Sequence, residues 1–242
     1  MGNVSTYGYS DIGNRRENED NGGIYVYGTN IVAVVADGLG GQGGGQAASS
    51  LALHELSRCG TQEKLPDKEE IEAYFQKANE AIIKRQQNQF HMKTTAVYLC
   101  IHGKSAIWAH IGDSRLYHFY QKKLCHFTQD HSVSQLAVLL GEISRSEIRG
   151  HAERSHLLKA LGCEEMKPEV HEAVLLEPGQ HAFLLCTDGF WECMEEEELQ
   201  DALSHTKTAE EWITFLRRKI TLNSGENHDN NTAMAVFLEV QE

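Results

Sequence analysis

An α+β fold built on packed antiparallel sheets is predicted for this chain of 242 residues. Three observations lead there. Strand-like and helix-like segments come in blocks, which disfavours the strict alternation of a doubly wound parallel sheet. Four successive strand-like segments between 94 and 127 are joined by short turns, as in an antiparallel meander. Two helical segments carry their apolar residues on one face, so each is expected to lie on a sheet.

The elements follow in order. Residues 24–27 and 31–36 read as a hairpin around Gly28, Thr29 and Asn30, and the second strand, apolar on both faces, is expected to be central. A helix over about 46–58 follows a Gly-rich stretch, and 59–67 is a linker containing Gly60 and Pro66. Asp67 and Glu70 match a capping box, and Ile71, Tyr74, Phe75, Ala78 and Ile82 recur at helical spacing on one face. Strands are predicted over 94–101, 106–111, 115–120 and 124–127, with turns near Gly103, at 112–114 and at 121–123. Residues 131–162 change character to short helices (133–140 and 144–149) and loops, forming a flap. Strands return over 169–175 and 182–187. A capped helix from Thr208 then buries Trp212, Phe215, Leu216 and Ile220, and a strand over 232–240 ends the sequence. One domain over 1–242 is the simplest division, since a chain of this length buries roughly 70 to 75% of its unfolded surface.

Composition narrows function. With 22 Lys and Arg against 35 Asp and Glu, the formal charge is −13. No basic stripe is present, so a nucleic-acid partner is not expected. The longest apolar run, 31–36, is far short of the roughly 20 residues that span a bilayer, and no leader-type segment opens the chain. Six cysteines without C-x-x-C or zinc-type spacing read as reduced thiols of a cytoplasmic protein.

The chemistry lies in acidic residues beside strand ends: Glu19 and Asp20, Asp37, Asp113, Asp188 and Asp229. A single Asp beside Gly is a turn residue. Several in one context can be gathered by loops at one sheet edge. Oxygen-only donors favour Mg²⁺, Mn²⁺ or Ca²⁺ over zinc. Metal-assisted hydrolysis at a binuclear centre is the chemistry this implies, and Arg15, four residues before Glu19, suits bidentate capture of phosphate.

The motifs Ser10-Asp11-Ile12-Gly13 with Arg15-x-x-Asn18-Glu19-Asp20, Val35-Ala36-Asp37-Gly38-Leu39-Gly40-Gly41, Gly112-Asp113-Ser114-Arg115, Leu185-Cys186-Thr187-Asp188-Gly189 and Asp229-Asn230-Asn231-Thr232 stand in one order. In that order and spacing they resemble the metal-dependent PP2C-type (PPM) serine/threonine phosphatases, bacterial form, over essentially the whole chain. The resemblance implies an α/β/β/α sandwich of two antiparallel sheets flanked by helices, with the flap beside the active site. It implies two Mn²⁺ or Mg²⁺ ions bridged by Asp37. Asp188 and Asp229 would complete one ion, and Glu19 and the Gly38 carbonyl the other. It further implies that Asp20 holds water, Arg15 binds phosphate, Asn230 supports Asp229, and Asp113 with Asp188 takes a third, weaker ion. The substrates would be phosphorylated proteins, products of a serine/threonine kinase.

Three residues depart from that pattern: Gln42, where a His is common, Gln46, where an acidic residue is common, and Lys159, where an Arg is usual. Gln42 keeps open a second reading, a weak or inactive phosphatase-like module that binds phosphoproteins. A dinucleotide site at Gly38-x-Gly40-x-x-Gly43 is disfavoured, because Asp37 would face the pyrophosphate. No Cys-x5-Arg loop exists for thiol chemistry. Met1-Gly2-Asn3-Val4-Ser5-Thr6 matches a myristoylation pattern by chance. His110, His118 and His126 read as sheet residues, with His131 entering the flap, and Glu195 to Glu198 as an acid-rich helix start.

Overall fold

The computed structural model describes residues 3–28, 30–40, 43–59, 64–86, 92–223 and 228–242. Thr29, Gly41, Gln42, Gly60 and the Met1–Gly2 pair lie outside them. The described elements are β1 (Val4–Asp11), β2 (Asn21–Tyr27), β3 (Asn30–Ala36), β4 (Gly38–Leu39), α1 (Gly44–Ser57), α2 (Lys68–Arg85), β5 (Lys93–Thr94), β6 (Ala96–His102), β7 (Ser105–Ile111), β8 (Arg115–Tyr120) and β9 (Lys123–Phe127). After them come α3 (Val133–Leu139), a 3-10 turn (Arg145–Gly150), β10 (Glu169–Val170), β11 (Val174–Leu175), β12 (Gly179–Cys186), α4 (Asp188–Trp191), α5 (Glu196–Ser204), α6 (Ala209–Asn223) and β13 (Asn231–Val240).

One sheet runs β1-β13-β12-β8-β9 and the other β10-β7-β6-β3-β2, with β11 also on β7; every pairing in them is antiparallel. Strand β3 shows why they stack. Its seven residues are all buried. Ile31, Ala33 and Val35 enter the layer between the sheets, with Phe183 and Leu185 opposite. Val32, Val34 and Ala36 face α1 and α2. Alternation by two thus serves two cores at once, which is what a doubly apolar strand requires. On the far side, Leu184 and Cys186 of β12 meet Leu199, Trp212 and Leu216 from α5 and α6. The layers are therefore α/β/β/α, as the resemblance implied.

Helix α2 begins as read, with Asp67 accepting from the Glu70 N–H at 2.8 Å and Glu70 accepting from the Asp67 N–H at 2.9 Å. All five apolar residues of its expected inner face are buried. In α6, Trp212, Leu216 and Ile220 are buried, but Phe215 is 40% exposed and leaves the inner face. It stands only three residues past Trp212 and one before Leu216, on the flank of a narrow stripe.

Two expectations are corrected. The segment 94–127 is not one meander: β6 and β7 belong to one sheet and β8 and β9 to the other. The chain changes sheet at Gly112, whose φ of +98° favours glycine. Strand β1, absent from the expected elements, pairs along its full length with β13. Its sequence, VSTYGYSD, has little apolar alternation, so pairing makes it a strand. The flap is pinned at both ends, by a bridge between Ser132 and Leu157 and another between Thr94 and Leu161.

Candidate metal centre

Strand β3 delivers Asp37 to the end of its sheet, and the backbone there is clamped. The Asp37 N–H donates to Thr95 Oγ1 at 2.9 Å. Its carbonyl accepts from the Thr95 N–H at 2.9 Å and from Thr94 Oγ1 at 2.7 Å. Thr95 Oγ1 also meets Ser114 Oγ at 2.7 Å, tying Asp37 to the crossing turn that carries Asp113. Asp188 arrives from β12 as the first residue of α4, its Oδ1 accepting from the Gly189 N–H at 2.6 Å. A Cβ on Gly189 would stand 2.1 Å from the Asn230 carbonyl oxygen, so glycine lets the Asp188 and Asp229 loops touch.

Asp229 precedes β13, and its Oδ2 pairs with Arg15 Nη2 at 2.6 Å. Asn230 joins the first and last loops. Its Oδ1 accepts from the Glu19 N–H at 2.9 Å, and its Nδ2 donates to the carbonyls of Ile12 at 2.7 Å and Glu17 at 3.0 Å. Asp20 is buried, with Oδ2 accepting from Thr187 Oγ1 at 2.8 Å. Its Oδ1 is buried without a hydrogen-bond partner.

Electrostatics show that these carboxylates share one place. Desolvation raises Asp37 well above the usual carboxylate range, and the charges of Asp188, Asp20 and Asp113 raise it further. Asp113 is raised by its burial and by Asp188 and Asp130. Burial takes Asp20 up to about 7 against hydrogen bonds from Thr187 and Thr232, with Asp188 and Asp229 adding repulsion. Asp188 rises to about 6 through burial and the charges of Glu192 and Asp229, although a hydrogen bond with Asp37 counteracts this. Glu19 is raised by desolvation and accepts from the backbone N–H groups of Gly45 and Gln46. It thus sits on the first turn of α1, where orphan donors and the helix dipole favour a carboxylate.

The structure therefore brings Asp20, Asp37, Asp113 and Asp188 together, sets Asp229 close enough to repel Asp20 and Asp188, and holds Glu19 on the flank beside Gly38. A Cβ on Gly38 would lie 2.2 Å from the Gly45 carbonyl oxygen and 2.7 Å from that of Glu19, so only glycine fits between them. This donor set suits a hard divalent cation: it is all oxygen, its members repel without one, and Asp20 offers a spare buried acceptor. The group is looser than the tightest ligand triads among the described residues, which are His110, His131 and Glu169, and Glu195 to Glu197. The second of these is occupied with arginines, as Arg149 pairs with Glu195 at 2.9 Å and with Glu196 at 3.0 Å.

One supporting network has no signature in the sequence. Arg115, 3% exposed, holds Asp130 through two bonds of 2.8 Å and lies 3.4 Å over the Trp191 ring, whose Nε1 donates to the Asp113 carbonyl at 2.9 Å. Arg115 stands in the Gly112 motif and Asp130 in the flap approach, but nothing in their spacing announces a pair. Arg115→Ala is expected to cost about 3 to 5 kcal/mol, because it strands the buried Asp130 charge. Urea unfolding checks this, and a loss below about 1 kcal/mol would mean that water replaces the guanidinium.

The sequence matches the family described as Protein phosphatase 2C over residues 7–239. It is 33% identical over 231 residues to the serine/threonine phosphatase stp of Listeria monocytogenes, covering 92% of this chain and 90% of that one. The crystal structure of the Mycobacterium tuberculosis serine/threonine phosphatase PstP/Ppp superposes with a TM-score of 0.86 at 27% identity, covering 99% of each chain. A structure of the PstP catalytic domain in complex with two manganese ions matches with a TM-score of 0.81 at 25% identity, again over 99% of each chain.

Proposed function

The chain belongs to the protein phosphatase 2C family of metal-dependent serine/threonine phosphatases, and from that premise we propose how its own residues hydrolyse phosphoserine and phosphothreonine on proteins. The whole chain, 1–242, acts as one phosphatase domain with the flap at 131–162. The supporting observation is the convergence of Asp20, Asp37, Asp113 and Asp188, from four separate segments, on one electrostatic centre.

Two Mn²⁺ or Mg²⁺ ions would be held by Asp37 together with Asp188 and Asp229 on one side and with Glu19 and the Gly38 carbonyl on the other. Asp113 and Asp188 would hold a third, weaker ion. A pair of such ions supplies Lewis-acid charge and brings the pKa of water near neutrality, so that attack on phosphorus needs no covalent phosphoenzyme. Asp20, with one oxygen fixed by Thr187 and the other unpartnered, orients the attacking water. Asn230 holds the Glu19 and Asp229 loops in register. Arg15, already beside Asp229 at the rim, receives the substrate phosphate as a fork onto two oxygens.

Purified protein is expected to hydrolyse p-nitrophenyl phosphate and a phosphothreonine peptide with Mn²⁺ and to stop with EDTA. Inactivity with both ions bound would instead favour a phosphoprotein-binding module. Arg15→Ala is expected to raise KM roughly tenfold with a smaller change in kcat, since it removes binding that ground and transition states share. A wild-type KM would assign the phosphate to another residue. Its substrates are the products of a serine/threonine kinase. No helix among the described residues is long and apolar enough to cross a membrane.

A further inference from the structure

Away from the aspartates, His110, His131 and Glu169 present three ligand-type atoms that all lie within 4.8 Å of one another. Three separate segments, β7, β10 and the start of the flap, bring them there. His110 and Glu169 are directly opposed residues of the antiparallel β7–β10 pair, so their side chains share a face. His131 is carried in by the start of the flap, where its N–H donates to the Gly112 carbonyl at 2.9 Å. The two imidazole rings lie parallel, 4.6 Å apart.

We propose that His110, His131 and Glu169 form a separate site for one divalent transition ion of the zinc class, and that filling it loosens the Gly112–Asp113 turn. Two imidazoles and one carboxylate are a borderline-soft set with an open fourth position, unlike the all-oxygen aspartate centre. His110 is already prepared as a ligand. Its Nε2–H donates to the Gln129 carbonyl at 2.7 Å, leaving Nδ1 with its lone pair, the outer-shell arrangement that orients metal-binding histidines. Burial holds its pKa down at about 4, so no proton has to be displaced near neutrality. Glu169 is pulled down to about 2, chiefly by the neighbouring His131 imidazole, and so stays ionised. His131 Nε2 is buried without a hydrogen-bond partner, its nearest acidic neighbour being Glu169 Oε2 at 3.5 Å. That separation is close to the tetrahedral edge of about 3.3 Å that zinc–nitrogen bonds of about 2.0 to 2.1 Å set. An entry path exists, because His110 and Glu169 line a cleft of about 400 Å³ shared with His126, His171 and Trp108.

The coupling comes from the proton on His131. Its Nδ1 accepts from the Gly112 N–H at 3.2 Å, which places the ring proton on Nε2. An ion taking Nε2 moves that proton to Nδ1, with no net release, and two N–H groups then oppose each other. Gly112 must turn away, and Asp113 is the next residue. The His110 and His131 rings must also tilt out of parallel, since one ion cannot lie in both planes.

The test uses the full chain and Co²⁺ as the probe. Four-coordinate Co²⁺ with nitrogen donors absorbs strongly in the visible, whereas six-coordinate Co²⁺ on oxygen is pale. The wild type and Asp188→Asn are both expected to develop the strong band, so failure here is separable from failure at the aspartates. Glu169→Gln, a change at a side chain 62% exposed, and His110→Gln should weaken Co²⁺ binding at least tenfold. In Mg²⁺-loaded protein, Zn²⁺ should shift the Gly112 amide resonance in the wild type but not in Glu169→Gln. Absence of the band, or its persistence in both variants, overturns the site. A band with an unmoved Gly112 amide overturns the coupling.

Discussion

Asp188→Asn is expected to lower turnover roughly a thousandfold or more, while raising the thermal midpoint of chelator-treated protein by roughly 2 to 4 °C. The two effects share one cause. Asp188 is the residue whose charge raises Asp37, Asp20 and Asp113 alike, so it stands at the centre of the group. Removing its charge takes away a ligand from one ion position and, on our assignment, from the weaker third. Losing several kcal/mol of transition-state stabilisation corresponds to three or more powers of ten in rate. Without ions, the same substitution relieves repulsion among buried carboxylates, and about 1 kcal/mol moves the midpoint of a chain this size by a few degrees. Phosphopeptide turnover and melting in EDTA check both. Turnover within tenfold of wild type would remove Asp188 from the centre.

Manganese should raise the melting temperature more at pH 7.5 than at pH 5.5, by roughly 5 °C or more. The sign follows from the carboxylates. An unfolded Asp titrates near 3.9, whereas Asp188 and Asp20 titrate at about 6 and about 7 in the folded protein, and Asp37 and Asp113 are raised as well. Between those values the native state binds more protons than the unfolded state. The stability they contribute at acid pH is therefore lost as pH rises from about 4 to about 7. Buried histidines act oppositely: His110 at about 4 and His118 at about 3 bind fewer protons folded than unfolded, so they add stability as pH rises towards 6.5. His110 and His118 lie outside the aspartate group, so filling that group with manganese leaves their contributions in place. The manganese-induced rise isolates the carboxylates, because protons compete with the ions for the same oxygens. Melting at both pH values, with manganese and with EDTA, measures the difference. A rise that is equal or smaller at pH 7.5 would show that the ions bind elsewhere.

Much of the architecture was readable because the signals were local. The capping box and inner face of α2 involve neighbours three to eleven residues apart. Strand β3 declared its double burial by being apolar at every position but the first. The acidic motifs were legible because each sits beside its own turn. Less readable was anything whose cause lies across the chain. Strand β1 has its partner more than 200 residues away in β13. Arg115 and Asp130 belong to different stretches, and Phe215 lies on the flank of the α6 stripe, where the width of the buried face decides its exposure.

The amino-acid sequence by itself determined the family, the layers and the identity of the acidic residues, since periodicity, turn residues and motif letters are local chemistry. Only the tertiary structure decided how those residues meet. It placed the sheet change at Gly112, turned Glu19 onto the first turn of α1, set Arg15 on Asp229 and opposed His110 to Glu169 beside His131. The physical reason is that charge repulsion, desolvation and ligand geometry depend on distances between atoms, and those distances exist only once segments far apart in the chain are packed together.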